Sequence, residues 1–192
     1  MTTEPDTDRG HRDDSTVLPS SQTLAKGLAV LRIFMGVILL ANGLAKLFSF
    51  SQITVGPYAA NLIDRDATRF ILQFEVFDNP AGGQPGTGVP GVRPVAQFML
   101  DNFGFFGWAV TAVEIGVGAL LILGLATRAA GLLGLGQQLF LALVYASSNR
   151  WAFEQPHEYV PLAVLSIVAS GAVWGLDGRL RATSPAYRRW PF

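Results

Sequence analysis

The sequence predicts an all-α integral membrane protein: a four-transmembrane-helix antiparallel bundle with a long extracytoplasmic loop between helices 1 and 2. Three observations predict it. Charged residues make up only 15% of the 192, where a soluble domain carries about a quarter. Half of the residues are hydrophobic. Finally, four apolar runs each approach the ~20 residues that cross a hydrocarbon core of about 30 Å. Four such runs leave too little polar surface to dissolve so short a chain.

The chain opens MTTEPDTDRGHRDDSTVLPSSQ. This start lacks the positive charge and short apolar core of a secretory signal. Its Asp, Glu, Ser, Thr and Pro residues bury too little apolar area to offset ordering entropy. Residues 1–23 are therefore expected to be a disordered cytosolic tail, residues 24–182 the membrane domain, and residues 183–192 a short basic C-terminal tail. The expected spans are 27–48 (GLAVLRIFMGVILLANGLAKLF), 104–126 (GFFGWAVTAVEIGVGALLILGLA), 129–147 (AAGLLGLGQQLFLALVYAS) and 159–176 (YVPLAVLSIVASGAVWGL). Only Thr127 and Arg128 separate the second and third, so these two form a tight antiparallel hairpin.

With four spans both termini share a side. Nine of the Lys and Arg residues (Arg9, Arg12, Lys26, Arg32, Arg128, Arg179, Arg181, Arg188 and Arg189) fall on that side. Five (Lys46, Arg65, Arg69, Arg93 and Arg150) fall on the other. The excess places both termini in the cytosol of a cell whose cytoplasmic membrane the chain crosses.

The outer loop, residues 49–103, is too long to be a mere connection. Its middle, DNPAGGQPGTGVPGVRP, is rich in Gly and Pro and should be irregular. LQFEVF alternates apolar and polar, like a short strand or an interfacial segment. VAQFMLDNFGFFGW reads as a short helix on the membrane surface that feeds span two. Phe98, Phe103, Phe105, Phe106 and Trp108, with Trp151 and Tyr159, suit an outer aromatic belt.

Composition also excludes some chemistry. A net charge of zero, with no basic patch interleaved with aromatics, argues against nucleic acid as a partner. The absence of cysteine excludes disulfides, thiolate metal sites, iron–sulfur ligation and a thiol redox couple within the chain.

One carboxylate, Glu114, lies near the middle of span two. A central acidic residue costs about 2.5–3.5 kcal/mol on insertion scales. The eleven Leu, Ile, Phe and Val residues of the span, at about 0.3–0.6 kcal/mol each, outweigh it. Glu114 should then turn toward the bundle and find a partner. Helical spacing puts Gly107, Thr111, Glu114 and Gly118 on one side of span two. Matching stripes occur in span one (Arg32, Gly36, Gly43, Lys46) and span three (Gly131, Gly134, Gln138, Ala142, Tyr145). Small residues let backbones approach and polar ones bridge helices, so the stripes predict one partly polar interior built on Arg32, Lys46, Glu114 and Gln138. At ~1.5 Å rise per residue, Arg32 lies about 8 Å inward of mid-membrane and Lys46 about 13 Å outward. Being nearer, and having a planar fork suited to a carboxylate, Arg32 is the expected partner of Glu114, with Lys46 facing the outer mouth. The pair could fix helix register, handle protons or bind a ligand.

Residues 150–158, RWAFEQPHE, supply a Glu-x-x-His spacing, which di-iron bundles use twice with two further Glu residues. Here it occurs once, and the only other histidine is His11, so no metal site is predicted. Glu154 and Glu158 suit the positive start of a helix. Alternatively Arg150, Glu154, His157 and Glu158 rim a cavity over Glu114.

LRIFMGVILLANGLAKLF, AVEIGVGALLILGLATRAAGLLG, RWAFEQ and GLDGRL, in that order, resemble the DoxX/DoxD-like family of small four-helix bacterial membrane proteins, over about residues 24–182. The polar tail and the long outer loop depart from its shorter members. The resemblance implies a membrane subunit of quinone-linked redox chemistry, related to sulfur or oxidative stress. Its recurring polar positions correspond here to Arg32, Lys46, Glu114 and Glu154. The chain would bring no intrinsic cofactor. Its site would take a quinone or relay a proton, and an oxidoreductase partner subunit would supply the redox centre. A membrane scaffold or assembly factor that docks a partner through the outer loop is the alternative. A small-solute carrier is a third reading, which would need a homo-oligomer to form a pathway.

Overall fold

A computed structural model describes residues 20–78, 86–147 and 156–190. Among these, three helices are long and apolar enough to cross a membrane: α1 (Ser21–Phe48), α4 (Phe103–Leu123) and α5 (Thr127–Val144). Helix α1 starts where the Ser20 Oγ accepts from the Thr23 N–H at 3.2 Å and stops at Ser49 in the left-handed region, φ 56°. Its 28 residues span about 42 Å, more than a hydrocarbon core needs. Val30, Phe34, Val37, Leu132, Leu133 and Leu139 stay exposed on the outside of the helices, as apolar side chains do when lipid is the solvent.

Glycine sets how closely the helices approach. A Cβ added at Gly118 of α4 would lie 2.5 Å from the Leu40 N of α1, and one at Gly43 of α1 would lie 2.8 Å from the Ile115 N. Backbone therefore meets backbone along the α1–α4 seam. Gly131 of α5 stands in the same relation to Ser166 of α6 (Pro156–Ile167). Met35, Leu39, Val117, Leu121, Ala130, Leu162 and Leu165 form the apolar centre between these helices.

The connection from α1 to α4 is a folded cap. It begins with an antiparallel hairpin, β1 (Gln52–Val55) and β2 (Tyr58–Asn61), that pairs Gln52 with Asn61 and Val55 with Tyr58. Helix α2 (Arg65–Gln73) follows, its first turn capped by the Asp64 Oδ1 accepting from the Ala67 N–H at 2.7 Å. Helix α3 (Val92–Asp101) leads directly into α4. LQFEVF is no strand: α2 continues into a wider π-helical turn, Phe74–Asp78, in which the consecutive residues Glu75 and Val76 are both buried. Packing against α3 and α5 overrides the alternation. Leu72, Val76, Val92, Ala96 and Val144 make a second apolar cluster beneath the cap. The Gly/Pro-rich middle of the loop lies largely outside the described residues.

The fourth apolar run departs from the expected continuous span. Helix α6 ends at Ile167, after 12 residues, or about 18 Å. A 3₁₀ turn (Ser170–Ala172) and an extended Val173 follow before α7 (Leu176–Thr183) begins. Ser170, Gly171 and Gly175 are weak helix formers. The freed carbonyls of Val173 and Trp174 accept from Arg32, so the break has a bonding partner.

Replacing Gly118 by Val should destabilise the fold by about 1–3 kcal/mol, seen as a lower Tm in detergent. Gly116→Val should leave Tm unchanged, because a Cβ there meets nothing within 4 Å.

Candidate functional site

The α1–α4 seam dictates which cation reaches Glu114. The helices run antiparallel, and Gly118 meets the backbone at Gly36 and Leu40. Four residues earlier in α4, Glu114 is level with Gly43, whose added Cβ would lie 3.2 Å from the Glu114 carbonyl carbon. One turn beyond Gly43 on the same face is Lys46. Its Nζ stands 2.9 Å from the Glu114 Oε2, with side-chain exposures of 3% and 6%. The expected Arg32–Glu114 pair does not form. Arg32 lies fourteen positions before Lys46 in α1, about 21 Å away along the axis. Depth counted from each span's own midpoint ignored the stagger between the helices.

The Gln137 Nε2 of α5 donates to the Glu114 Oε1 at 2.9 Å. Lys46 also donates to the Ile63 carbonyl at 2.9 Å. The Ile63 N–H donates to the Asn42 Oδ1 at 3.2 Å, and the Asn42 Nδ2 to the Ile38 carbonyl at 3.2 Å. The segment before α2 is thus held onto α1 by the same lysine that meets the carboxylate.

These groups form the polar floor of a cavity of about 260 Å³. Phe103, Phe106, Val110, Met99, Phe140 and Leu141 wall it, α2 contributes Ile71 and Leu72, and Tyr145, His157 and Glu158 line it as well. A mostly apolar wall with a few convergent polar groups is the usual make-up of a small-molecule site. Gln138 lines it too, and its Oε1 is buried with no hydrogen-bond partner among the described residues. The cap is braced from outside: the Arg65 guanidinium lies 3.9 Å from the Trp108 ring centre and that of Arg69 5.8 Å from Phe103. Phe106 packs edge to face against both Phe98 and Phe105, with ring centres 5.5 and 5.3 Å apart.

Of the predicted site residues, Lys46, Glu114 and Gln138 come together in the cavity. His157 and Glu158 line it, with the His157 Nε2 3.8 Å from the Glu158 Oε1. Arg150 and Glu154 lie outside the described residues. Arg32 belongs to a second, separate cluster, in which it donates to the Trp174 carbonyl at 3.1 Å and the Val173 carbonyl at 3.4 Å. Nearby, the fully buried Asp177 accepts from the Ala126 N–H (2.8 Å), the Thr127 N–H (3.1 Å) and the Thr127 Oγ1 (3.0 Å). This carboxylate, arriving from α7, caps the first turn of α5. Among the described residues no group of three His, Asp or Glu is placed to hold a metal.

Sequence reasoning missed Asn42, Gln137, the Ile63 carbonyl and Asp177. Asn42 and Gln137 carried a signal, since each is a polar residue inside an apolar span, next to or one turn from a residue already chosen. Ile63 carried none. Comparison with protein-family models, with curated proteins and with solved structures returned no match.

Lys46→Met alone should cost about 3–5 kcal/mol, because it leaves a buried carboxylate uncompensated. The double variant Lys46→Met/Glu114→Leu should recover most of that loss. Arg32→Met combined with Glu114→Leu should be additive. Denaturant unfolding of each variant in detergent measures all three.

Proposed function

We propose that this chain is an integral membrane subunit of a quinone-linked redox complex, related to the DoxX/DoxD-like family, and that the Glu114 cavity holds the ring of the quinone. It would sit in the cytoplasmic membrane as a four-crossing bundle, the broken α6–α7 segment counting as the fourth, with both termini cytosolic. The observation that carries the reading is the buried Lys46–Glu114 pair, with Gln137, on the floor of an aromatic-walled cavity large enough for one substituted ring. Phe103 and Phe106 supply flat apolar surface. The polar floor supplies hydrogen bonds and ionisable groups at ring-oxygen level. A quinone accepts two electrons with two protons to become a hydroquinone, which releases them in the reverse step. In this reading the Glu114 carboxylate takes up and returns a proton, Lys46 keeps its ionised form tolerable in hydrocarbon, and Glu158 and His157 connect the cavity to the outer surface. The electrons come from an oxidoreductase partner.

A second reading, a scaffold or assembly factor, is favoured by the hairpin. All eight residues of β1 and β2 are exposed, so the hairpin is available to a partner. Deleting residues 52–61 should then release copurifying proteins and leave quinone content unchanged.

Protein purified in mild detergent should retain quinone in its lipid extract at near one per chain. Glu114→Leu/Lys46→Met, which should keep the fold and removes the two charged groups of the floor, should lose it. Wild-type protein that neither retains quinone nor takes it up when supplied would refute the reading.

A further inference from the structure

A second space runs down the outside of α4 and α5, beside the Glu114 cavity. It is a groove of about 530 Å³. Met99, Val110, Gln137 and Phe140 line both spaces, so single side chains form the wall between them. The groove continues along α5 through Leu133 to Ala129, about 16 Å from the level of Phe140. Trp190 lines it too, and among the described lining residues only Gln137 and Trp190 carry a side-chain nitrogen or oxygen. Gly136 forms part of its floor, and a Cβ added there meets nothing within 4 Å.

Among the residues that line the cavity, Gln138 is 6% exposed and its Oε1 accepts from no group among the described residues. A buried acceptor left without a donor is unfavourable, which a ligand O–H or N–H would relieve.

We infer that cavity and groove are one site for a single-tailed lipid, whose head donates a hydroxyl hydrogen to the Gln138 Oε1 and whose apolar tail leaves sideways between α4 and α5. This rests on the quinone reading and deepens it: the form preferred is the hydroxyl-bearing, reduced ring. The groove acts by shape. A tail gains little by leaving lipid for a groove that is equally apolar, but a head cannot stay in the cavity unless its tail has a way out.

The test uses full-length protein in lipid nanodiscs, with empty nanodiscs as the partition control. The probes are a tail-less methoxy-substituted hydroquinone, its decyl derivative and the oxidised form of each. Wild type should bind both hydroquinones, and each more tightly than its quinone. Gly136→Trp should keep the tail-less probe and weaken the decyl probe by about tenfold or more. Gly116→Trp, also open at Cβ but away from the groove, should change neither. If Gly136→Trp binds nothing, Leu133→Trp, which fills the groove one turn away, decides. Gln138→Leu should abolish the preference for the reduced form. Decyl binding unaffected by a filled groove overturns the tail path. A reduced-form preference that is absent from wild type, or that survives Gln138→Leu, overturns the donor assignment. Failure of wild type to bind any of the four probes refutes the quinone reading itself.

Discussion

The fold is arranged around the contact between Lys46 and Glu114. Each charge alone would be expensive among apolar helices. Held 2.9 Å apart, they are tolerable, and the other carboxylate oxygen accepts from Gln137 while the ammonium also donates to the Ile63 carbonyl. The pair therefore ties three pieces of chain together: α1, α4 with its neighbour α5, and the start of the cap. A hydrophobic pair could bring the same helices together but would leave their stagger loosely specified. A charged pair permits only one stagger, because any other leaves two unmet charges.

That stagger is also written in small residues. Gly43 and Gly118 let α1 and α4 approach until an added Cβ would strike backbone. The two devices agree: the offset that interlocks the glycines also brings Lys46 onto Glu114. The cavity follows from this agreement. Where the seam is tight, below Glu114, apolar side chains fill the interior. Above it, α4 leans against α2 and α3, and the space left between cap and helices is the 260 Å³ chamber. Buried Leu72 and Val76 show that the cap is packed onto the bundle and does not hang from it.

At the opposite end, Arg32 and Asp177 solve a different problem. The fourth apolar run breaks at Ser170–Ala172, and a broken helix strands carbonyls that hydrocarbon cannot satisfy. Arg32 takes up two of them, and Asp177 meets the unpaired N–H groups that open α5. A polar group at each end of the bundle, one lining a cavity and one closing a break, gives buried Arg32, Lys46, Glu114 and Asp177 their partners.

The amino-acid sequence by itself determined the apolar helices, their order, the stripes of small and polar residues that face inward, and the membership of Lys46, Glu114 and Gln138 in a common interior. Periodicity and hydropathy are local properties, readable one segment at a time. The tertiary structure alone decided that Glu114 meets Lys46 and not Arg32, that Gln137 and the Ile63 carbonyl complete the floor, that LQFEVF is helical, and that the fourth run is broken. Each of these depends on the axial offset between two helices or on a carbonyl freed by a neighbour's packing. Such quantities belong to pairs of segments, and no single segment's sequence carries them.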